Sequence, residues 1–546
     1  MIMRTGIIKN TGRRLTFVTV FLLLLTSGCQ NGFLDENPLD AISEGIFWNS
    51  TEDCYQALMG IYSTYAERTA ERINNLDKSM IWMSSFAGYS SWRTFDWTRG
   101  IEIQATHGAI TTMWRKLYIQ ISRANYFLDN IGKADMPAEE KAQMTAEVRF
   151  LRAFSYFWLS QMYGNVPMPT HTLTFDEANN IGQVSEKEVR EFILSELSAI
   201  AGDLPLAHSA TEKGRIEKGA ALALKGRVLL AEKRWADAAE TYREIMNLGR
   251  YEIDPRFKQL FITEGENNQE FIFVNKYMEN EFGEAMSQHT IRSSLYGGFN
   301  ACNLFQHFLD EFPMKDGKSI GESALYNPQK PFENRDPRLY ETVLITGYSL
   351  VNGEVFQGDP VTIARTGQTG ANITGYILQK FWDRSFTGNR QYYGADYPQI
   401  RYAEILLSRL EAELEAGNPV TQALLDETIN RIRKRPAVGM PEVTETDPSR
   451  LREIIRRERV VELSFEGGIE YFDMRRWGTL REMVDREYYG MKMTDDPAHY
   501  EGIHKINKDG YLVIGSQRFY DFNYLWPIPL TELDVNSNLK QNPGYN

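Results

Sequence analysis

The residues of this 546-residue chain best suited to gripping another molecule are aromatic, and they gather where regular structure is not expected. Between 82 and 97 stand Trp82, Tyr89, Trp92, Phe95 and Trp97, interleaved with Ser, Gly and Thr and accompanied by Arg93 and Asp96. Neither the helical nor the strand period fits the set, so 78–100 reads as a structured loop. Rings held in a loop offer flat apolar faces, and the guanidinium and carboxylate beside them offer hydrogen bonds at the edges. The combination recurs twice. Tyr296, Phe299 and Asn300 surround Gly297-Gly298, and Trp382, Asp383, Arg384, Asn389, Arg390, Tyr392 and Tyr393 precede Tyr397. The competing reading for any one ring is packing of a long loop onto its scaffold.

Signals for reaction chemistry are weak beside these. With 73 Asp and Glu, carboxylate pairs arise by chance, and a pair means nothing without a separation in space. The seven His show no HExxH or other helical ligand spacing. There is no GxSxG nucleophile elbow and no phosphate-cradling glycine loop. No catalytic residue and no cofactor is expected. The Asn/Asp-rich loops leave room for a structural calcium, although no twelve-residue calcium loop is present.

The first forty residues decide where the chain works. Met1 to Gly28 runs from a cationic start (Arg4, Lys9, Arg13, Arg14) through an apolar stretch, Leu15 to Leu25, to small residues. That order is a secretory signal, too short in its apolar part to span a bilayer. Cys29 follows Leu-Thr-Ser-Gly, which resembles a bacterial lipobox, so the mature chain is expected to begin at a lipidated Cys29 and to hang from a membrane by acyl chains. Gln30 to Asp40 then carries three acids and no base, an acidic tether. Loss of four signal-peptide cations takes the net charge from −13 to −17, which argues against nucleic acid. Beyond Cys29 only Cys54 and Cys302 remain, enough for one disulfide and not for a framework.

The elements that must carry the loops are mainly helical. Residues 43–66 read as a turn and a helix capped by Ser50 or Thr51, with Cys54 on its apolar side. Helical periodicity continues at 109–131, at 138–163 with Pro137 at its start, at 185–201 and at 449–464. Residues 216–250 read as one tetratricopeptide repeat, with Gly226, Ala238, Tyr242 and Ile245 at the offsets where paired helices interlock. A looser pair covers 399–435. Such pairs cannot bury their apolar faces alone and must stack into a wall. Residues 262–398, rich in Gly, Asn, Pro and aromatics, are too long for a simple loop and read as a loop-rich insertion on that wall. The tail, 483–546, is mostly irregular, with one hairpin at Asn507-Lys508-Asp509-Gly510.

At this point the chain resembles the SusD/RagB family of outer-membrane lipoproteins. The similarity runs through AEVRFLRAFSYFWLSQMYGNVPMP (146–169), GAALALKGRVLLAEKRWADA (219–238), NRDPRLYETV (334–343), IRYAEILLSRLEAELEAG (400–417), RRERVVELSFEGGIEYFDMRRWG (456–478), LWPIPLTEL (525–533) and the terminal QNPGYN. It implies a mainly α, SusD-like fold, with a tetratricopeptide-like helical scaffold, a loop-rich insertion and minor β structure. The expected division is a signal peptide, 1–28, and one body, 29–546. Within that body lie a helical part (29–261), the insertion (262–398), a second helical part (399–482) and the irregular tail (483–546).

The resemblance also implies capture of extracellular oligosaccharides at the outer membrane, on the exterior face, in partnership with a SusC-like TonB-dependent transporter. Sugars present apolar C–H faces and hydroxyl edges, so the three aromatic loops are the expected glycan-binding residues. A peptide-capturing RagB-like subunit and a surface glycosidase remain as alternatives. Most charges inside the shared motifs (Arg149, Arg152, Arg401, Glu404, Glu411, Glu413, Arg457, Glu458, Glu462, Glu466, Asp473, Arg475 and Arg476) are expected to be ion pairs stitching helices rather than catalytic groups.

Overall fold

The computed structural model describes residues 47–65, 103–284, 302–356, 374–493 and 506–545, together with the backbone of 88–90. The signal peptide, Cys29 and the loop positions Trp82, Trp92, Arg93, Phe95, Asp96, Trp97, Tyr296, Phe299 and Asn300 lie outside these residues.

Local sequence sets the helices. In α1 (Thr51–Tyr65) the Ser50 hydroxyl accepts from the Asp53 amide while the Asp53 carboxylate accepts from the Ser50 amide at 2.9 Å, so two end donors are satisfied reciprocally. α2 (Gly108–Asn130) and α3 (Ala138–Tyr163) follow, and α3 is buried on almost every side from Met144 onward. It stops where Gly164 takes φ +73°, a conformation that favours glycine, against the Leu525 side chain. α4 (Glu186–Ile200) opens with a Ser185/Glu188 capping box. α5 (Lys218–Ala231) and α6 (Trp235–Asn247) form the expected repeat. Gly226 is there for space, because a Cβ on it would lie 2.5 Å from the Tyr242 ring.

Each of these helices packs on the next, α1 on α2 through to α5 on α6. The chain then departs and comes back. Strand β2 (Phe271–Asn275) pairs antiparallel with β8 (Tyr397–Arg401), closing the neck of the insertion, and α9 (Tyr402–Glu415) returns directly onto α6. α10 (Pro448–Leu463) packs on α9, and α11 (Ile469–Trp477) on α10. One wall thus continues across the 121 residues that lie between Asn275 and Tyr397 at the neck. The irregular tail is tied to the end of α3. The Trp526 amide donates to the Met162 carbonyl at 2.6 Å, and Asn542 Nδ2 donates to the Tyr163 carbonyl at 2.9 Å.

The insertion holds more sheet than its composition suggests. β1 (Gly88–Ser90), β3 (Cys302–Leu304), β7 (Tyr376–Leu378) and β4 (Val343–Ile345) form one antiparallel sheet in the order β1-β3-β7-β4. The two-residue strands β5 (Leu350–Val351) and β6 (Glu354–Val355) make a small hairpin beside it. Short helices α7 (Gln306–Glu311) and α8 (Pro337–Thr342) lead out of β3 and into β4. In the tail, the turn at 507–510 precedes β10 (Tyr511–Ser516), whose long partner is β9 (Glu487–Lys492). Cys54 and Cys302 are both buried, on separate elements, and no disulfide joins them.

The expected ion pairs are the mortar. Arg401 donates to Glu466 at 2.6 Å, to Glu270 at 2.6 Å and to Glu462 at 2.7 Å, and Arg435 and Arg338 close on Glu462 at 2.7 and 2.8 Å. All of these side chains are within 1% of full burial. Glu462 is held well below the usual carboxylate range by these guanidinium groups, although burial opposes the shift. Farther along the wall Arg459 and Arg476 share Asp473, at 2.6 and 2.9 Å. Arg149 and Arg152 share Glu196, each at 2.7 Å. Glu404 holds Arg227 at 2.6 Å and Arg475 reaches Glu186 at 2.9 Å. Arg457 and Glu413 are looser members, their nearest charged partners 3.8 and 3.9 Å away.

Candidate functional site

Register brings the ends of the sheet together in an informative way. Ser90 pairs with Cys302, Asn303 with Ile377 and Leu378 with Val343. One end of the sheet therefore carries the last residue of β1, the first of β3 and the last of β7. In the sequence 91–97 follow β1, 296–300 precede β3 and 382–393 follow β7. Tyr89 itself is a strand residue, opposite Asn303.

Of the three loops, only the last is described in full, and it splits into two parts. Trp382, Asp383 and Arg384 line a cleft of about 820 Å³ beside edge strand β4. Asn389, Arg390 and Tyr392 do not line it. Arg390 is turned inward, donating to the carbonyls of Asp383 at 3.0 Å and Phe386 at 2.7 Å, and Asn389 accepts from the Gln391 amide at 3.0 Å. The Tyr392 carbonyl accepts from the Asn280 amide at 3.2 Å. These groups hold the loop's own shape.

Trp382 is 3% exposed and packs with Leu344, Val351, Phe356 and Ile377, so its ring is a floor rather than an open platform. The Arg384 guanidinium lies over it, 5.0 Å from the ring centre. Arg384 donates to the Leu350 carbonyl at 3.0 Å and to Gln379 Oε1 at 2.7 Å. Gln379 is the hub of the cleft, since its Nε2 donates to the carbonyls of Tyr340 at 2.6 Å and Val343 at 3.0 Å. Asp383 accepts from the Tyr393 hydroxyl at 2.9 Å and from the Ser385 amide at 2.9 Å.

The open ring in the cleft is Tyr348, 38% exposed. It follows β4 in the turn Thr346-Gly347-Tyr348-Ser349, and it stacks on half-buried Tyr340 with centroids 5.7 Å apart and planes 19° from parallel. Phe332 braces it edge-on at 5.8 Å. Tyr340 is fixed from behind, donating to the Phe332 carbonyl at 2.5 Å and accepting from the Arg335 amide at 3.2 Å. Polar groups rim the pair, with Lys258, Lys315 and Arg384 contributing cations and Glu333 and Glu341 carboxylates. Lys258 donates to the carbonyls of Gln379 and Lys380. Burial brings its ammonium down to about 7, with Arg384 and Lys380 adding to the shift and Glu341 and Asp383 opposing it.

Sequence reasoning passed over Tyr340, Tyr348, Gln379, Lys258 and Lys315. The signal for the tyrosines was present in the pattern Tyr340-Glu341-Thr342-Val343-Leu344-Ile345-Thr346-Gly347-Tyr348, a short apolar strand with a ring just beyond each end. No group of three or more His, Cys, Asp or Glu side chains among the described residues is arranged to hold a metal ion.

This arrangement has relatives. The model of the SusD family matches residues 269–545, and a second family model, described as starch-binding and associating with the outer membrane, matches 32–230. A SusD-like carbohydrate-binding protein of Bacteroides fragilis superposes with a TM-score of 0.85, at 32% identity, over 90% of this chain and 100% of its own. SusD-like protein P25 of Formosa agariphila is 23% identical over 86% of this chain and 91% of its own. The starch-binding protein SusD of Bacteroides thetaiotaomicron is 24% identical over 79% and 77%. With matched segments on both sides of the insertion's neck and a shared architecture throughout, this chain belongs to the SusD family, whose members bind carbohydrate in association with the outer membrane.

Proposed function

We propose that the protein is a non-catalytic cell-surface lipoprotein, anchored through Cys29, that captures oligosaccharides and passes them to a SusC-like TonB-dependent transporter. The observation that carries the binding reading is the Tyr348 ring, stacked on Tyr340 and left open in a cleft rimmed by lysine, arginine, glutamine and glutamate. A pyranose lays its C–H face on such a ring and turns its hydroxyls to the rim. The cleft is wide enough for several sugar units, and its open form suits a ligand that must be released again to a transporter. Among the described residues the most deeply buried carboxylates, Glu147, Glu270, Asp336, Glu462 and Glu466, are all engaged with arginine or lysine, which favours binding over hydrolysis.

The test is native affinity electrophoresis of residues 30–546 through gels loaded with single polysaccharides, beside Tyr348→Ala. Retardation by one glycan, weakened in the still-folded variant, is the expected result. Retardation by no plant, host or microbial glycan overturns the reading in favour of peptide capture, and release of reducing ends from a retained glycan overturns its non-catalytic part. Loss of palmitate labelling in Cys29→Ser, and co-purification with a TonB-dependent porin, test the anchor and the partner.

A further inference from the structure

The cleft beside β4 is unlike the rest of the molecule in charge. The chain as a whole carries −13, yet Lys258, Lys315 and Arg384 converge on one cavity. Neither Lys258 nor Lys315 has a carboxylate within ion-pair distance among the described residues. The Lys258 ammonium is directed at two neutral backbone oxygens, and Lys315 is exposed at the rim. The carboxylates of the cleft are differently placed. Glu333 is engaged by Lys330 at 2.9 Å, and Asp383 is hydrogen-bonded to Tyr393 and Ser385 with the Arg390 charge attracted to it. Glu341 alone stands open. Three cations (Lys258, Lys315 and Arg384) and three carboxylates (Glu333, Glu341 and Asp383) line the cleft, and two of those carboxylates are already answered from outside it, Glu333 by Lys330 and Asp383 by the Arg390 charge.

We propose that the glycan held in this cleft is acidic, its carboxylate or sulfate group seated among Lys258, Lys315 and Arg384 while a neighbouring sugar face lies on Tyr348. The inference rests on the glycan-binding reading above and narrows its substrate class. A neutral sugar leaves the Lys258 ammonium beside the Arg384 charge in a partly desolvated cleft, whereas an anion offsets both and gains charge-assisted hydrogen bonds. Binding is then linked to protonation. An anion beside Lys258 raises its ammonium from about 7, so at pH ~8 an acidic glycan takes up a proton on binding and a neutral one does not.

The experiment is a glycan array of matched pairs probed with residues 30–546. Polyuronates are printed beside their carboxyl-reduced forms and sulfated galactans beside their desulfated forms, and hits are followed by calorimetry in two buffers of different ionisation enthalpy. The expected result is preference for the charged member of a pair, proton uptake with it alone, about fivefold weaker binding in Lys315→Gln and correspondingly tighter binding in Glu341→Gln. Which kind of pair responds separates carboxylate from sulfate. Equal binding of charged and neutral members overturns the inference and leaves glycan capture standing. Binding to no glycan in either form overturns both. Lys315→Gln and Glu341→Gln change exposed side chains, so a lost signal in one and a gained signal in the other cannot be confused with unfolding.

Discussion

Residues 379 and 380 are neighbours in sequence and belong to two different molecules in physical terms. Gln379 faces the cleft, where it ties Arg384 to the backbone of α8 and β4. Lys380 faces the wall, where its ammonium, brought down to about 8 by burial, donates to Glu466 at 2.6 Å. On the wall side the charges of the Arg401 network are enclosed and matched, because an unmatched buried charge costs several kcal/mol. On the cleft side charges are left open, and the ring that faces them is more than a third exposed. The helical wall has been closed by its own residues. The cleft has the same chemistry with Lys258, Lys315 and Glu341 held in no ion pair among the described residues, which is the form a binding surface takes before its ligand arrives.

This contrast can be broken most forcefully in the wall. Arg401→Met leaves Glu270, Glu462 and Glu466 short of their shared cation and is expected to cost about 3–5 kcal/mol in urea unfolding. A cost under ~1 kcal/mol would show that the network is dispensable. That network, with the Glu411 cluster on Arg459 and Arg476, sets the acid limit. Glu462 and Glu411 have folded-state values below their unfolded ones, Glu411 at about 2, so their contribution is complete above the unfolded glutamate value and is lost as pH falls through the folded one. Thermal midpoints are expected to drop steeply from pH ~4.5 downward.

A smaller effect is expected from Gly226→Ala, where the new Cβ would sit 2.5 Å from the Tyr242 ring and must push α5 off α6. About 1–3 kcal/mol should be lost without change in glycan binding. The cleft variants should invert the pattern. Tyr348→Ala is expected to change stability by less than ~1 kcal/mol and to weaken glycan binding about tenfold, read by unfolding and by calorimetry on one preparation. Smallest of all, Lys315→Gln should leave stability within about 0.5 kcal/mol of the parent. If Tyr348→Ala unfolded the protein, or Arg401→Met altered only affinity, the division between wall and cleft would be wrong.

What the sequence disclosed follows the same division. The α5–α6 repeat is legible because Gly226, Ala238, Tyr242 and Ile245 meet within one helix pair, and local spacing is enough to reveal it. Arg401 and Glu466 were legible as charges too costly to bury alone, but Glu270, which pairs with Arg401, and Arg435, which pairs with Glu270 in turn, were not, since Glu270 stands 131 residues from Arg401 and no local period links them. In the third loop Trp382 and Arg384 do reach the cleft, while Asn389 and Arg390 fold the loop itself, because composition cannot tell an edge partner for a ligand from one for a backbone carbonyl. Tyr340 and Tyr348 were missed because β4 is three residues long, below the length at which alternation can be read. Of the loops 82–97 and 296–300, the backbone of 88–90 proved to be strand, and the other positions lie outside the described residues.

The central claim is that the cleft beside β4 is where glycan is held. Amide hydrogen exchange of residues 30–546, with and without a glycan that retards the protein, tests it directly. The account expects slowed exchange at 340–350 and 379–385, with the α5–α6 repeat unchanged. Slowed exchange confined to other segments, with 340–350 and 379–385 unaffected, would contradict it.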